Sequence, residues 1–277
     1  MPLVVDRLRA EDLPAALRLS TQAGWNQLAA DWQRLLDLCP EGCLAGRLDG
    51  ALVATATVAS YGRDAHWIGM VLVDEALRGR GVGSTLLQQA ISLARAGGGE
   101  AIGLDATDLG RPVYLKQGFV DVAPIDRWSG VLRENGSSEG LEPLDRSNLE
   151  AVAAFDRAAC GVDRSALLLH LLNEPGVTGV VSRGAGYALL RPGRTQGHVG
   201  PFLAADDATA TQLLNRLAKL AAGSPLLLDA LRSPALSALL QLHGLTVARR
   251  LVRMTSGTPQ RLLMGDSVRA ATSFEWG

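Results

Sequence analysis

The stretch HWIGMVLVDEALRGRGVGSTLLQQAISLARAGGGEAIGLDATDLGRPVYLKQGF, His66 to Phe119, decides the fold of this 277-residue chain. Trp67 to Val73 is apolar on both faces, as expected of a strand covered on both sides. The turn Arg78-Gly79-Arg80-Gly81-Val82-Gly83 follows. Behind it Val82, Leu86, Leu87, Ala90, Leu93 and Ala94 recur at helical spacing, and Gly97-Gly98-Gly99 stops the helix. Ala101 to Asp105 reads as a second strand. Pro112 suits the start of a further helix, with Tyr114 in its first turn.

A strand feeding a glycine turn and a helix makes an anion site. The free N–H groups of the first helical turn point outward, and the helix dipole favours negative charge there. Glycines at 79, 81 and 83 permit close approach, while Arg78 and Arg80 supply donors suited to phosphate oxygens. A phosphate or pyrophosphate is the implied guest. A Walker loop is excluded, because no Gly-Lys-Ser/Thr is present. A dinucleotide fingerprint would need glycine at 84, where Ser84 stands, and Glu100 and Asp105 fit its acidic position only loosely. The glycines on their own fit an ordinary strand–helix turn equally well.

Arg78-x-x-Gly81-x-Gly83 after one strand, then Tyr114-Leu115-Lys116-Gln117-Gly118-Phe119 after the next, resembles the GNAT superfamily of acyl-CoA N-acyltransferases. The resemblance spans Val4 to Trp128. It implies a mixed α/β sheet with helices on both faces and acetyl-CoA as cosubstrate. The turn from Arg78 through Gly79, Arg80, Gly81, Val82 and Gly83 to Ser84 would hold the pyrophosphate. Tyr114 would protonate the departing thiolate, and backbone N–H groups along Met70, Val71, Leu72 and Val73 would polarise the thioester carbonyl. Trp25, Asn26, Asp31 and Trp32 would line the acceptor pocket. Their structural alternatives are turn chemistry for Asn26 and amphipathic-helix packing for the tryptophans.

The chemistry suits such a role. An alkyl amine of pKa ~10.4 is mostly protonated at neutral pH, so a base must take its proton. A phenol of pKa ~10 can donate to a thiolate while neutral. The base is not legible. The central strand carries no carboxylate, Asp74 and Glu75 come only at its end, and His66 stands at its start, where it reads as a solvent-facing strand-end residue.

Composition bounds the alternatives. The chain is 47% hydrophobic and 20% charged, enough to bury a full core. A net charge of −1 argues against a nucleic-acid surface or an electrostatic membrane anchor, and no apolar run reaches transmembrane length. The start of the sequence lacks a basic, then long apolar, leader pattern. Cys39, Cys43 and Cys160 have no neighbouring ligands that would complete a zinc site, so no metal is expected and free thiols in a reducing cytoplasm are. A monomer or homodimer is expected.

Before the central stretch, Leu3 to Arg9 reads as a strand. Helices follow from Asp12 to Ala23 and from Leu28 to Leu38. A hairpin, Cys43 to Leu48 and Ala51 to Ser60, turns through Asp49-Gly50. The polar, glycine-rich run from 131 to 140 reads as a linker between a catalytic domain, 1–130, and a second domain, 141–277. The second half repeats the order of the first: strands at 177–182, 186–191, 198–203 and 225–228, with helices at 208–222 and 233–243. Its landmarks differ. Leu240 stands for Tyr114, and Ala204-Ala205-Asp206-Asp207-Ala208 stands for the glycine turn. Two tandem GNAT-like domains, the second degenerate, are therefore expected. The rival class is a non-catalytic acyl-CoA-binding module, and the third a nucleotide binder.

Overall fold

The computed structural model describes residues 2–63, 65–257 and 262–277. In the first half, β1 (Val4–Arg7), α1 (Leu13–Gln22), α2 (Ala29–Leu38), β2 (Cys43–Leu48), β3 (Ala51–Tyr61) and β4 (Ala65–Val73) lead into the central unit. That unit is α3 (Val82–Ala96), β5 (Ala101–Ala106), α4 (Arg111–Lys116) and β6 (Val120–Val131). The second half runs β7 (Glu142–Pro143), α5 (Leu149–Cys160), α6 (Ser165–Asn173), β8 (Thr178–Ser182), β9 (Gly186–Arg191) and β10 (Gly197–Ala204). It continues with α7 (Asp207–Ala221), β11 (Pro225–Leu231), α8 (Pro234–Leu242), β12 (Leu245–Gly257) and β13 (Val268–Ala270). The expected elements are present, and β12 and β13 are additional.

All the strands join one mixed sheet, in the order β1-β2-β3-β4-β5-β12-β6-β11-β13-β10-β9-β8-β7. The halves are exchanged at its centre. β12, from the second half, lies between β5 and β6, pairing Val252 with Ala106 through to Gly257 with Ala101 on one side. β6, from the first half, pairs with β11 from Ile125–Leu231 to Val131–Pro225. Each half thus lacks a central strand that the other supplies. The 131–140 segment is tied down as well: Asn215 Oδ1 accepts from Asn135 N at 2.7 Å, and Asn215 Nδ2 donates to Ser137 O at 3.1 Å.

The core follows the same plan. α3 lays Val82, Leu86, Leu87, Ala90, Ile91 and Ala94 over the first half of the sheet. Leu93 is only partly buried, and Ile91 takes the deeper place on that face. α7 covers the second half with Leu213, Leu214 and Leu217. On the other side α1, α2, α5 and α6 share one core, which includes Leu19, Trp32, Leu35, Val152, Leu167, Leu171, Tyr187 and Trp276. Arg34 on α2 locks onto Glu174 just beyond α6 through two 2.6 Å bonds. No helix among the described residues is long and apolar enough to cross a membrane.

Candidate active site

β4 and β5 run parallel but pair only over Ala65–Trp67 and Ala101–Gly103, then diverge. The divergence coincides with a bulge. Between Thr55–Leu72 and Thr57–Gly69, β4 spends one residue more than β3. Met70 takes a left-handed φ of 48°, and its carbonyl accepts from Thr55 Oγ1 at 2.8 Å. A non-glycine residue at positive φ is strained and bends its strand. The cleft so opened is lined by Gly69, Met70 and Val71 of β4, Leu104 and Asp105 of β5, and Tyr114 of α4. Trp25 and Gln27 close it from the loop between α1 and α2. Arg127, Arg249, Leu251 and Phe274 wall its far side. Its enclosed part is about 70 Å³, room for the reacting tip of a ligand rather than for the whole of it.

Beyond β4, α3 follows Gly81, which has a left-handed φ of 82° and no side-chain cap. Gly79 is also left-handed, at 76°. A Cβ added to either would meet nothing within 4 Å, so the turn is open on that side. Val82 is buried under the helix, Gly83 and Ser84 are half-buried, and Arg78 and Arg80 are exposed. Arg78 is tethered to Val73 O (3.3 Å) and to Glu75 (3.4 Å).

Tyr114 projects from α4 into the cleft, half-buried, with its ring edge-on to Phe119 at 6.1 Å. Burial pushes its phenol up to about 12, so the hydroxyl stays protonated at neutral pH. Asp105 is buried and paired in a bidentate fork with Arg253 of β12 at 2.8 and 2.9 Å. Burial outweighs that attraction and holds its carboxyl above the usual carboxylate range.

The proposed acceptor residues separate. Trp25 lines the cleft. Asn26 is buried and braces the 193–196 loop of the second half, accepting from Thr195 N at 2.8 Å and donating to Gln196 O at 2.9 Å. Asp31 pairs with Arg34 and with Arg191 of β9, at 3.0 and 2.9 Å, and lines a polar cavity behind Gln27. Trp32 is fully buried in the core, its indole N–H directed at Ser20 Oγ, and lies away from the cleft. The strand-end carboxylates are engaged elsewhere: Asp74 caps Ala76 N and pairs with Arg18, which lower its pKa, and Glu75 pairs with Arg78. His66 is buried rather than solvent-facing, at the closed end of β4 against Ser60 Oγ.

The second half repeats the cleft and fills it. β10 and β11 pair in parallel over only three positions, Gly197–Val199 with Leu226–Leu228. Into the gap beyond goes β13, paired with Phe202 and Leu203 on one side and Ala230 on the other. Asp206 caps α7, accepting from Thr209 N at 2.7 Å, and so takes a donor an anion would need. Asp207 pairs with Arg269 at 3.0 Å, and Leu240 is buried in α8.

Residues 8–119 match the family model described as "Acetyltransferase (GNAT) family", and residues 152–266 match that described as "Acetyltransferase (GNAT) domain". The chain belongs to the GNAT superfamily. It is a transferase built of two GNAT units, in a family that generally uses acyl-CoA and acts on amine acceptors. The holothin acyltransferase of Pseudoalteromonas sp. is 26% identical over 212 residues, covering 74% of this chain and 71% of that protein. A solved structure from Pyrococcus horikoshii, assigned as an acetyltransferase, superposes with a TM-score of 0.88 at 20% identity, covering 99% of this chain and 96% of that one. A tandem GNAT protein from the clavulanic acid biosynthesis pathway superposes at 0.66 and 15% identity, covering 93% and 99%. These two likenesses speak to the fold.

Proposed function

We propose that this GNAT transferase moves an acetyl group from acetyl-CoA to an amine by direct attack, in one cleft per chain. The observation that supports the reading is the presence of three features in the first half. They are an uncapped glycine turn for the pyrophosphate, a splayed strand pair for the thioester, and a protonated Tyr114 at the cleft. The turn from Arg78 to Ser84 binds the phosphates, and the backbone from Met70 to Val73 holds the acyl arm. Tyr114 O–H protonates the thiolate as the C–S bond breaks. Residues 1–130 form the catalytic unit, 131–140 join it to the second, and 141–277 wall the acceptor side.

The test is thioester consumption over a panel of amines, with holothin included because the Pseudoalteromonas relative is named for it. Wild type should release coenzyme A with at least one acceptor. Tyr114→Phe should lower kcat about 10²–10⁴-fold with unchanged affinity for acetyl-CoA. Equal single-turnover rates in the two proteins would remove Tyr114 from the mechanism.

A further inference from the structure

The segment from Ala271 to Gly277 crosses from the filled cleft to the open one. It leaves β13 past Gly200, where an added Cβ would sit 2.4 Å from Ala271 O. Arg191 Nη2 then donates to Thr272 O at 2.6 Å, and Trp67 Nε1 to Phe274 O at 2.9 Å. The Tyr61 hydroxyl donates to Trp276 O. Between these anchors the chain lies on β4 at Gly69, where an added Cβ would be 2.6 Å from Glu275 Cα and 3.0 Å from Glu275 Cβ. The glutamate side chain therefore starts where a side chain of residue 69 would have started. β4 carries no carboxylate of its own, and the crossing segment brings one to its surface, one residue from the bulge at Met70.

That carboxylate is only 1% exposed. Oε2 accepts from Gln27 Nε2 at 3.1 Å, while Oε1 has no hydrogen-bond partner among the described residues. Gln27 Oε1 likewise lacks a donor. Ser273 Oγ, Arg191 Nε and His198 Nε2 are also without a hydrogen-bond partner among the described residues, and buried polar groups left so are costly until a partner or a water joins them. Gln27 and Arg127 line both the cleft of Tyr114 and the polar cavity that holds Glu275, so the two spaces adjoin at these residues.

We propose that Glu275 is the general base of the first-half site, receiving the proton of the acceptor amine directly or through one water. The inference rests on the transferase reading above. The amine lone pair forms the C–N bond to the thioester carbon. The C–S bond breaks with its electron pair on sulfur, which takes the Tyr114 proton, and the surplus amine proton goes to Glu275. Return of that proton to the Tyr114 phenolate through solvent leaves amide and free thiol as the only products.

The surroundings suit a base. Burial is the largest influence and raises the Glu275 pKa, Asp31 of α2 adds to it, and Arg191 of β9, the neighbouring Ser273 hydroxyl and Arg34 of α2 oppose it. The arginines direct most of their donors elsewhere, while Arg191 Nε has no partner among the described residues. Arg34 bonds Glu174 and Asp31, Arg191 bonds Asp31 and Thr272 O, and Arg127 of β6 is forked with Asp229. His198 of β10, which also faces this cavity, is held neutral, since burial first and these arginines next drive its pKa well down. A carboxylate whose pKa is raised, with no ion pair of its own among the described residues, is a better proton acceptor than one of ordinary pKa.

The test compares full-length wild type, Glu275→Gln and Glu275→Asp with acetyl-CoA and p-chloroaniline, an electron-poor arylamine whose conjugate acid titrates below the pH range scanned. The acid limb of kcat/KM then reports the enzyme and not the acceptor. Glu275→Gln should lose about 10²–10⁴-fold in kcat/KM and lose the acid limb, with Tm and acetyl-CoA affinity unchanged. Glu275→Asp should keep the limb at a reduced rate. A Glu275→Gln protein with wild-type rate and limb overturns the inference while leaving the transferase reading intact. A limb retained while Tm and coenzyme affinity fall overturns it in favour of a structural role. A wild type that consumes thioester with no amine of the panel, holothin included, overturns the transferase reading and this inference with it.

Discussion

Replacing Arg253 by methionine should expose how strongly the two halves depend on each other. Arg253 stands on β12 directly opposite Asp105 on β5, so the pair spans the strand exchange. Both side chains are fully buried. The guanidinium makes the two bonds to Asp105, donates to Leu263 O at 3.1 Å, and lies 4.5 Å over the Trp67 ring. Methionine fills the volume and keeps contact with Trp67 but leaves Asp105 without its cation. Breaking one side of a buried pair costs about 3–5 kcal/mol, because the remaining charge is stranded. At roughly 2–4 °C per kcal/mol for a chain of this size class, Tm should fall by about 6–20 °C near neutral pH.

The pH dependence has a definite sign. The Asp105 carboxyl is already raised, by burial first, and loss of Arg253 raises it further. A raised folded-state pKa favours folding below the ordinary value of about 3.9, and that advantage is lost as pH rises through the folded value. The deficit of Arg253→Met relative to wild type should therefore be largest at about pH 7 and shrink toward about pH 5. Adding Asp105→Asn should recover most of it, since no charge is then stranded. Calorimetric unfolding of wild type, single and double variants at both pH values checks this. A loss below about 1 kcal/mol at neutral pH, or one the double variant does not relieve, would refute a central role for the pair.

Two further outcomes bear on the coenzyme. Gly81→Asp should abolish coenzyme A binding, because the added carboxylate projects into the open space before α3; Tm should shift by only a few degrees, as aspartate tolerates left-handed backbone at about 1 kcal/mol, and unchanged calorimetric affinity would move the pyrophosphate elsewhere. Titration of the full chain with acetyl-CoA should give a stoichiometry near one, because β13 and the Asp206 cap occupy the second cleft; two equivalents would overturn that account.

What the sequence disclosed is what local pattern encodes. The apolar run at Trp67, the glycine turn and the helical spacing from Val82 to Ala94 are periodic signals, and the elements follow them. The exchange was hidden because β12 does not read as a strand. Arg249, Arg250 and Arg253 interrupt its apolar alternation, and Arg253 is acceptable inside only because Asp105 faces it across two strands. The bulge at Met70 has no signal, since methionine is not a residue that marks a left-handed position. Trp32 and Trp25 look alike in sequence; the helix phase turns Trp32 into the core, and the α1–α2 loop leaves Trp25 at the cleft. Glu275 sits in Thr-Ser-Phe-Glu-Trp-Gly, a run without periodicity, and its position depends entirely on the missing side chain at Gly69.

The second half is retained although its own cleft is filled, and the exchange explains why it cannot be shed. Removing residues 141–277 would strip β12 from between β5 and β6, expose Asp105, and take away Arg249, Leu251 and Phe274 from the cleft wall. A fragment beginning at Leu141 is equally incomplete, because β11 and β12 would lose β6, their common partner. Binding measurements on either half would therefore report on folding before they reported on chemistry. The same strand that fills one cleft leads, within seven residues from Ala271 to Gly277, onto the floor of the other. The filling of the gap in one repeat and the seating of Glu275 on Gly69 of β4 in the other are thus two consequences of a single chain path.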